Sequence, residues 1–106
     1  MVVKRFEIYF VGPDPSVGSE MKKARPCIIL SPDDMNRVLN TVIVAPLTAT
    51  IRNYPSRVSC FVANKKGQIA LDQLKTIDKI CLKKKIGMIN GHTQKLVTEI
   101  LLEIFR

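Results

Sequence analysis

From Phe6 to Leu74 the apolar residues come in short runs, each fenced by proline, glycine or polar turn residues. That punctuation limits the chain to a fold built of short strands. Phe6–Val11 alternates as a first strand, and Cys27–Leu30, bounded by Pro26 and Ser31-Pro32, reads as a buried second one. Thr41–Ala45 is rich in β-branched residues and makes a third, which Pro46 closes or marks as an edge; Leu47–Thr50 continues extended. In Ser56–Val62, Val58, Cys60 and Val62 fall on one face and Arg57, Ser59 and Phe61 on the other. Asn64-Lys65-Lys66-Gly67 is predicted as the turn of a hairpin and Gln68–Leu74 as its returning strand.

Two stretches read as helices. Ser31-Pro32-Asp33-Asp34 is a helix start, with Ser31 as cap and the aspartates at the positive end, and the helix runs only to about Leu39. Leu96, Val97, Ile100, Leu101 and Ile104 form one stripe of a C-terminal helix capped by Thr93, and the whole stripe is expected in the core. Lys79–Met88, with its Lys83-Lys84-Lys85 run, reads as a solvated strand edge or a phosphate-facing patch. Five or six short, mostly antiparallel strands with one helix after the second and one at the C-terminus fit a compact, partly open barrel.

At 106 residues the chain, 1–106, is expected to be a single domain. No apolar run approaches the ~20 residues that span a bilayer, and the apolar start is too short for a signal peptide, so a cytoplasmic protein with no membrane partner is expected. Cys27, Cys60 and Cys81 are too scattered for zinc and read as buried free thiols. The single His92, at a helix start, makes no metal site, and there is no phosphate loop or dinucleotide fingerprint, so no metal and no cofactor are expected. The net charge of +8 is uneven: residues 1–50 carry six cations and five anions, residues 51–106 eleven cations and four anions. Such a field attracts nucleic acid, acidic proteins or anionic membrane.

Between the first two strands lies residues 12–26, a loop long enough to be functional or disordered. It ends in Arg25, set by Pro26 at the mouth of a buried strand, where a planar guanidinium can grip a phosphate. Other polar residues at strand ends and loops are Ser19, Glu20, Thr48, Asp72, Gln73 and Lys75. Asp72 interrupts an apolar run, as a structural salt bridge or a site residue would.

Val17-Gly18-Ser19-Glu20, Arg25-Pro26, Ser31-Pro32, Met35-Asn36-Arg37, Val44-Ala45-Pro46-Leu47-Thr48 and Asp72-Gln73-Leu74-Lys75-Thr76-Ile77-Asp78 follow one another in an order and spacing that resembles the MazF/PemK/Kid toxins of bacterial toxin–antitoxin pairs. The likeness runs nearly the whole chain. It implies a mainly β fold with a C-terminal helix, an SH3-like small barrel of the MazF/PemK/CcdB kind, assembled as a homodimer. It implies a sequence-specific, metal-independent endoribonuclease that cuts single-stranded RNA, chiefly mRNA, and is inhibited by an antitoxin whose disordered, acidic C-terminal segment fills the RNA groove. DNA would be met only indirectly, through the antitoxin. The alternatives are a non-catalytic binding toxin of the same fold, such as a gyrase inhibitor, or a plain nucleic-acid-binding barrel.

RNA cleaves itself when a 2′-hydroxyl attacks the adjacent phosphorus, leaving a 2′,3′-cyclic phosphate and a 5′-hydroxyl. Arg25 suits the charge that develops on the phosphate, and Thr48 is a hydrogen-bonding partner to the scissile phosphate, roles that similar proteins give the matching residues. Glu20 is the candidate base or an orienter of Arg25, since arginine is too basic to accept a proton near neutral pH. Some relatives use an Asp and an Arg two residues before it; Asp72 matches the first, but Ala70 stands at the second. Where those relatives carry a His before the loop Glu, this chain has Ser19, and a common Arg is Lys75, so the Arg–Thr chemistry is favoured. Lys22, Lys23, Arg52, Lys65 and Lys66 are expected to track phosphates, Tyr54 to stack on a base, and Ser19, Asp72, Gln73 and Lys75 to line the RNA groove.

Overall fold

The computed structural model describes residues 1–13 and 24–106. The predicted site residues Ser19, Glu20, Lys22 and Lys23, and most of the 12–26 loop, lie outside the described residues. Among those described, the elements run β1 (Glu7–Val11), β2 (Arg25–Ile29), α1 (Asp33–Val38), β3 (Thr41–Thr48), β4 (Arg57–Val62), β5 (Lys65–Ala70), β6 (Lys75–Asp78), β7 (Leu82–Met88) and α2 (Gly91–Phe105), with short 3₁₀ turns at Leu71–Gln73 and Lys79–Cys81. The strands make one curled antiparallel sheet in the order β4-β5-β3-β2-β1-β7, with β6 also on β3.

β3 is the spine of the sheet. Its first half, Thr41–Val44, pairs with β6, and Leu47 and Thr48 pair with β5, while β2 takes its other edge. Pro46 therefore does not end the strand as the sequence implied. It falls in the gap between the two partners, where its missing N–H breaks no bond of either ladder. Strand β2 likewise begins two residues earlier than expected, so Arg25 and Pro26 belong to the sheet, opposite Val11 and Phe10.

The hairpin β4–β5 turns on two residues, not four. Val62 faces Lys65, and Ala63 and Asn64 between them both take positive φ, 52° and 64°. That is the conformation of a two-residue type I′ turn. Lys65, Lys66 and Gly67, predicted as the turn, are strand residues instead. Asp72 is not in a strand either: β5 stops at Ala70 and Asp72 sits in the 3₁₀ turn.

Alternation along the strands gives two apolar layers. Ile8, Ile28, Ala45, Val58, Cys60 and Ile69 face inward with Leu71 and Ile89, and Val97 of α2 closes that layer, wholly buried. Tyr9, Cys27, Ile29, Val42, Val44 and Leu82 form a second layer on the opposite face. Truncating Ile28 or Ile69, both 0 % exposed, to alanine is expected to cost about 2–5 kcal/mol, read as a lower urea midpoint at unchanged slope. The stripe of α2 is only partly core. Val97 is buried and Ile100 and Leu101 half-buried, but Leu96 and Ile104 on its flank and last turn remain exposed.

Neither predicted residue caps its helix. The N-cap of α2 is Asn90, whose Oδ1 accepts from the Thr93 backbone N–H at 2.9 Å. Ser31 does not cap α1; its hydroxyl donates to Asn36 Oδ1 and accepts from the Ile43 N–H, tying α1 to β3. Glu7, 4 % exposed on β1, is held by the Lys4 backbone N–H at 2.7 Å and by Lys85 Nζ at 2.9 Å. The Lys83–Lys85 run thus lies on β7 at the sheet edge, solvated apart from that ion pair and a long contact from Lys83 to the Ile80 carbonyl. Lysines along an edge also discourage strand-to-strand aggregation.

Candidate active site

Adjacent strands β2 and β3 set the two central residues. Cys27 is opposite Pro46. Arg25 lies two residues from Cys27 on the same face of β2, and Thr48 two residues from Pro46 on the same face of β3. The register carried outward therefore brings Arg25 and Thr48 to the same end of neighbouring strands, facing the same way. Arg25 is exposed and Thr48 half-buried. Thr48 Oγ1 accepts from the Thr50 backbone N–H at 3.1 Å. A hydroxyl has one hydrogen to give, and this contact uses only a lone pair, so among the described residues the Thr48 O–H has no acceptor and can donate to a substrate oxygen.

Lys75, first residue of β6, joins the same face from the far side of β3. The Cys27 thiol reports both cations. Burial pushes its pKa up, while the Lys75 and then the Arg25 charge pull it back. Cys60, buried with no such neighbour, is pushed up to about 11. Neither thiol is a nucleophile at neutral pH.

Gly67 fixes how closely β5 approaches Thr48. A Cβ there would stand 2.9 Å from the Thr48 carbonyl oxygen, a backbone atom that cannot swing aside. Gly67→Ala is expected to cost about 1–3 kcal/mol of stability and to lower turnover by displacing Thr48. Unchanged turnover in the folded variant would show that the Thr48 position is not critical. Thr48, Lys65, Lys66 and Gly67 also rim an apolar groove of about 380 Å³ floored by Phe10, Pro26, Leu47 and Cys60. A second hollow, about 430 Å³ at Arg5, Phe6 and Asp33, holds none of the predicted residues.

Beyond Thr48 the face continues across β5 and β4. Thr48 is opposite Gln68, and Gln68 opposite Ser59. Gln68, 7 % exposed, clasps the Arg52 backbone with both ends of its amide, Oε1 accepting at 3.0 Å and Nε2 donating at 3.1 Å. The loop carrying Arg52 and Tyr54 is thereby pinned beside Thr48. Asp72 is engaged elsewhere: Arg57 reaches its two carboxylate oxygens at 2.9 and 3.4 Å, and the Ser56 hydroxyl donates to Oδ1 at 2.8 Å. The guanidinium holds the Asp72 carboxyl down at about 2. A carboxylate so committed is a poor proton acceptor, which leaves Glu20 as the acidic candidate for the base. Gln73 is exposed beside it in the same turn.

The depressed Asp72 carboxyl ties stability to pH. Its contribution is full above the ordinary carboxylate pKa, near 3.8, and is lost as pH falls toward about 2. Asp72→Asn should therefore lower the urea midpoint at pH 6, and most of the gap to wild type should be gone at pH 2. A gap as large at pH 2 as at pH 6 would mean that the pair does not act through charge.

A family model described as the PemK-like, MazF-like toxin of type II toxin–antitoxin systems matches residues 4–105. The chain belongs to this family. A curated relative, endoribonuclease EndoA of Bacillus subtilis (strain 168), is 36% identical over 107 residues, covering 95% of this chain and 92% of that protein. Among solved structures, the Mycobacterium tuberculosis toxin MazF-mt6 superposes with a TM-score of 0.78 at 25% identity, covering 93% of this chain and 95% of that one. A mycobacterial endoribonuclease in complex with its cognate antitoxin shares the fold, with a TM-score of 0.80 at 24% identity over 97% of this chain and 94% of that one. The curled sheet with its C-terminal helix is thus the MazF fold.

Within this PemK/MazF-like chain, sequence reasoning passed over Arg57, Gln68 and Gly67. The alternation of β4 already put Arg57 on the polar face with Ser59. What was not legible is that Arg57 finds Asp72 and Tyr54, since both contacts depend on where the 3₁₀ turn and the 50s loop come to rest.

Proposed function

We propose that this chain is a sequence-specific, metal-independent endoribonuclease toxin that cuts single-stranded RNA and is held in check by a cognate antitoxin. Membership in the PemK/MazF family supports the endoribonuclease activity, and EndoA carries that activity in its name. The observation that carries the mechanism is the Arg25–Thr48 placement at the joint end of β2 and β3. A non-catalytic gyrase inhibitor or a plain binding barrel would need no such pair.

The 2′-hydroxyl of one nucleotide attacks its own 3′ phosphorus in line with the departing 5′ oxygen. Arg25 lays its fork against the non-bridging oxygens, whose negative charge grows toward the transition state. Thr48 donates its free hydroxyl hydrogen to the same phosphate and fixes the angle of attack. Glu20 takes the proton of the attacking hydroxyl. The 5′ oxygen leaves and takes a proton from solvent water, and the products are a 2′,3′-cyclic phosphate and a 5′-hydroxyl. Each step uses side chains and water. Among the described residues no group of three His, Cys, Asp or Glu is placed to hold a metal ion.

Arg52, Lys65 and Lys66 flank Thr48 and, with Lys22 and Lys23, track the RNA phosphates; Ser19, Gln73 and Lys75 complete the groove. The family is one of toxin–antitoxin pairs, so the partner is an antitoxin whose acidic, disordered C-terminal segment competes for this basic face, and DNA is reached only through it. The active form is a homodimer. The apolar side chains exposed at the end of α2, Leu102 and Phe105, are surface of the kind that a second copy covers. The chain acts in the cytoplasm, where its substrate is; no helix among the described residues is long and apolar enough to cross a membrane. Mass analysis of the cut ends tests the chemistry. Cyclic phosphate with 5′-hydroxyl is expected, and 3′-hydroxyl with 5′-phosphate would overturn the 2′-hydroxyl mechanism.

A further inference from the structure

Arg57 is a cation that the phosphate-tracking role does not explain. Its side chain is only 6 % exposed, and its charge is answered inside the protein by Asp72, 2.9 Å away. Over that guanidinium lies the Tyr54 ring, 5.0 Å from the Arg57 carbon to the ring centroid. The backbone repeats the tie, Arg57 N–H donating to the Tyr54 carbonyl at 3.2 Å, and the Leu71 N–H donates to the Ser56 carbonyl at 3.1 Å. Tyr54 itself is 49 % exposed.

A loop tyrosine does not need so much support to stay folded. Guanidinium, carboxylate and serine hydroxyl together fix one ring at one height and tilt, with its charge already neutralised. The ring stands on the Thr48 face. From Thr48 to Arg57 the path is two strand spacings across and two residues along, roughly 12 Å on a flat sheet. A short RNA segment seated on Thr48 spans that distance.

We infer that Tyr54, mounted on the Arg57–Asp72 pair, is the platform on which a base flanking the cut stacks, and that Arg57 is the residue that positions it. The inference rests on the RNA-cleaving reading of the site. Recognition here is by the face of the base and not by its edge, so purines, with the larger face, are preferred at that nucleotide. Because Asp72 already neutralises Arg57, the platform adds affinity without adding a phosphate contact.

The test is binding of an uncleavable 2′-O-methyl single-stranded RNA, measured across a salt series. Tyr54→Ala is expected to weaken binding about 5- to 100-fold, with the slope of log affinity against log salt unchanged. Tyr54→Phe should restore affinity. Scanning the oligonucleotide with abasic sites should reveal one position whose loss weakens wild type as much as Tyr54→Ala does and leaves the variant unaffected. Arg57→Lys keeps the charge but loses the flat fork, and should reduce the coupling at that position. Undiminished binding by folded Tyr54→Ala would overturn the inference. So would a salt slope that falls with Arg57→Gln, which would make Arg57 a phosphate contact. If wild type does not bind RNA at all, the endoribonuclease reading falls with it; if wild type binds and Tyr54→Ala binds equally, only the platform falls.

Discussion

Arg25→Ala is expected to lower the rate of RNA cleavage by about 10²–10³ at saturating substrate, with circular dichroism unchanged. The magnitude is that of removing one preorganised charge-stabilising donor from a site where negative charge develops. Folding should be spared because Arg25 is exposed at the first position of β2 and makes none of the ion pairs found among the described residues. Arg25→Lys should recover only part of the loss, since a point charge cannot meet two non-bridging oxygens in one plane. The effect should fall on turnover more than on KM, because the ground-state phosphate carries less charge than the transition state. Retention of full activity by Arg25→Ala would remove the arginine from the chemistry while leaving the family assignment standing.

RNA affinity should fall steeply with salt. Single-stranded nucleic acid releases ~0.7 of a counterion for each phosphate that a protein neutralises. Lys22, Lys23, Arg52, Lys65 and Lys66 together then give a slope near −3.5, so a fourfold rise in salt should weaken binding by roughly a hundredfold. Each lysine-to-glutamine change on the track should reduce the slope by about 0.7, whatever the sequence of the RNA. Lys84→Gln on β7, a strand that meets the groove only through Ile86, should leave it unchanged. A slope near zero would contradict the basic track, and a slope that responds to Lys84 would move it to the sheet edge.

Much of this arrangement can be read from the chain, and the rest depends on pairing partners. The runs of β-branched residues locate β1, β2, β3 and the hairpin because burial of alternate side chains is a local property. The end of β3 is different. Pro46 looks terminal in one dimension and is harmless only because β6 hands over to β5 at that point. The hairpin turn was misplaced for a related reason: Asn64 and Gly67 both tolerate positive φ, and the register that chose Ala63-Asn64 follows from which faces of β4 and β5 must be buried. Caps show the same limit. Ser31 and Asn90 are both good capping residues, but Ser31 found a better use against Asn36 and β3.

The site divides along the same line. The sequence places Arg25 and Thr48 beside strand ends, and only the β2–β3 register brings the two to one end of the sheet. The role of Asp72 is not legible, since the sequence places it in a strand, and only the 3₁₀ turn brings it to Arg57 and Ser56. With Asp72 engaged there, the proposed mechanism gives the base role to Glu20.

The most direct measurement is the incubation of purified protein with end-labelled, mixed-sequence single-stranded RNA in EDTA. Discrete bands at a short recurring sequence are expected, appearing without any divalent ion and vanishing when cognate antitoxin is added. RNA left intact at high protein excess, or cut only after a divalent metal is restored, would contradict the account.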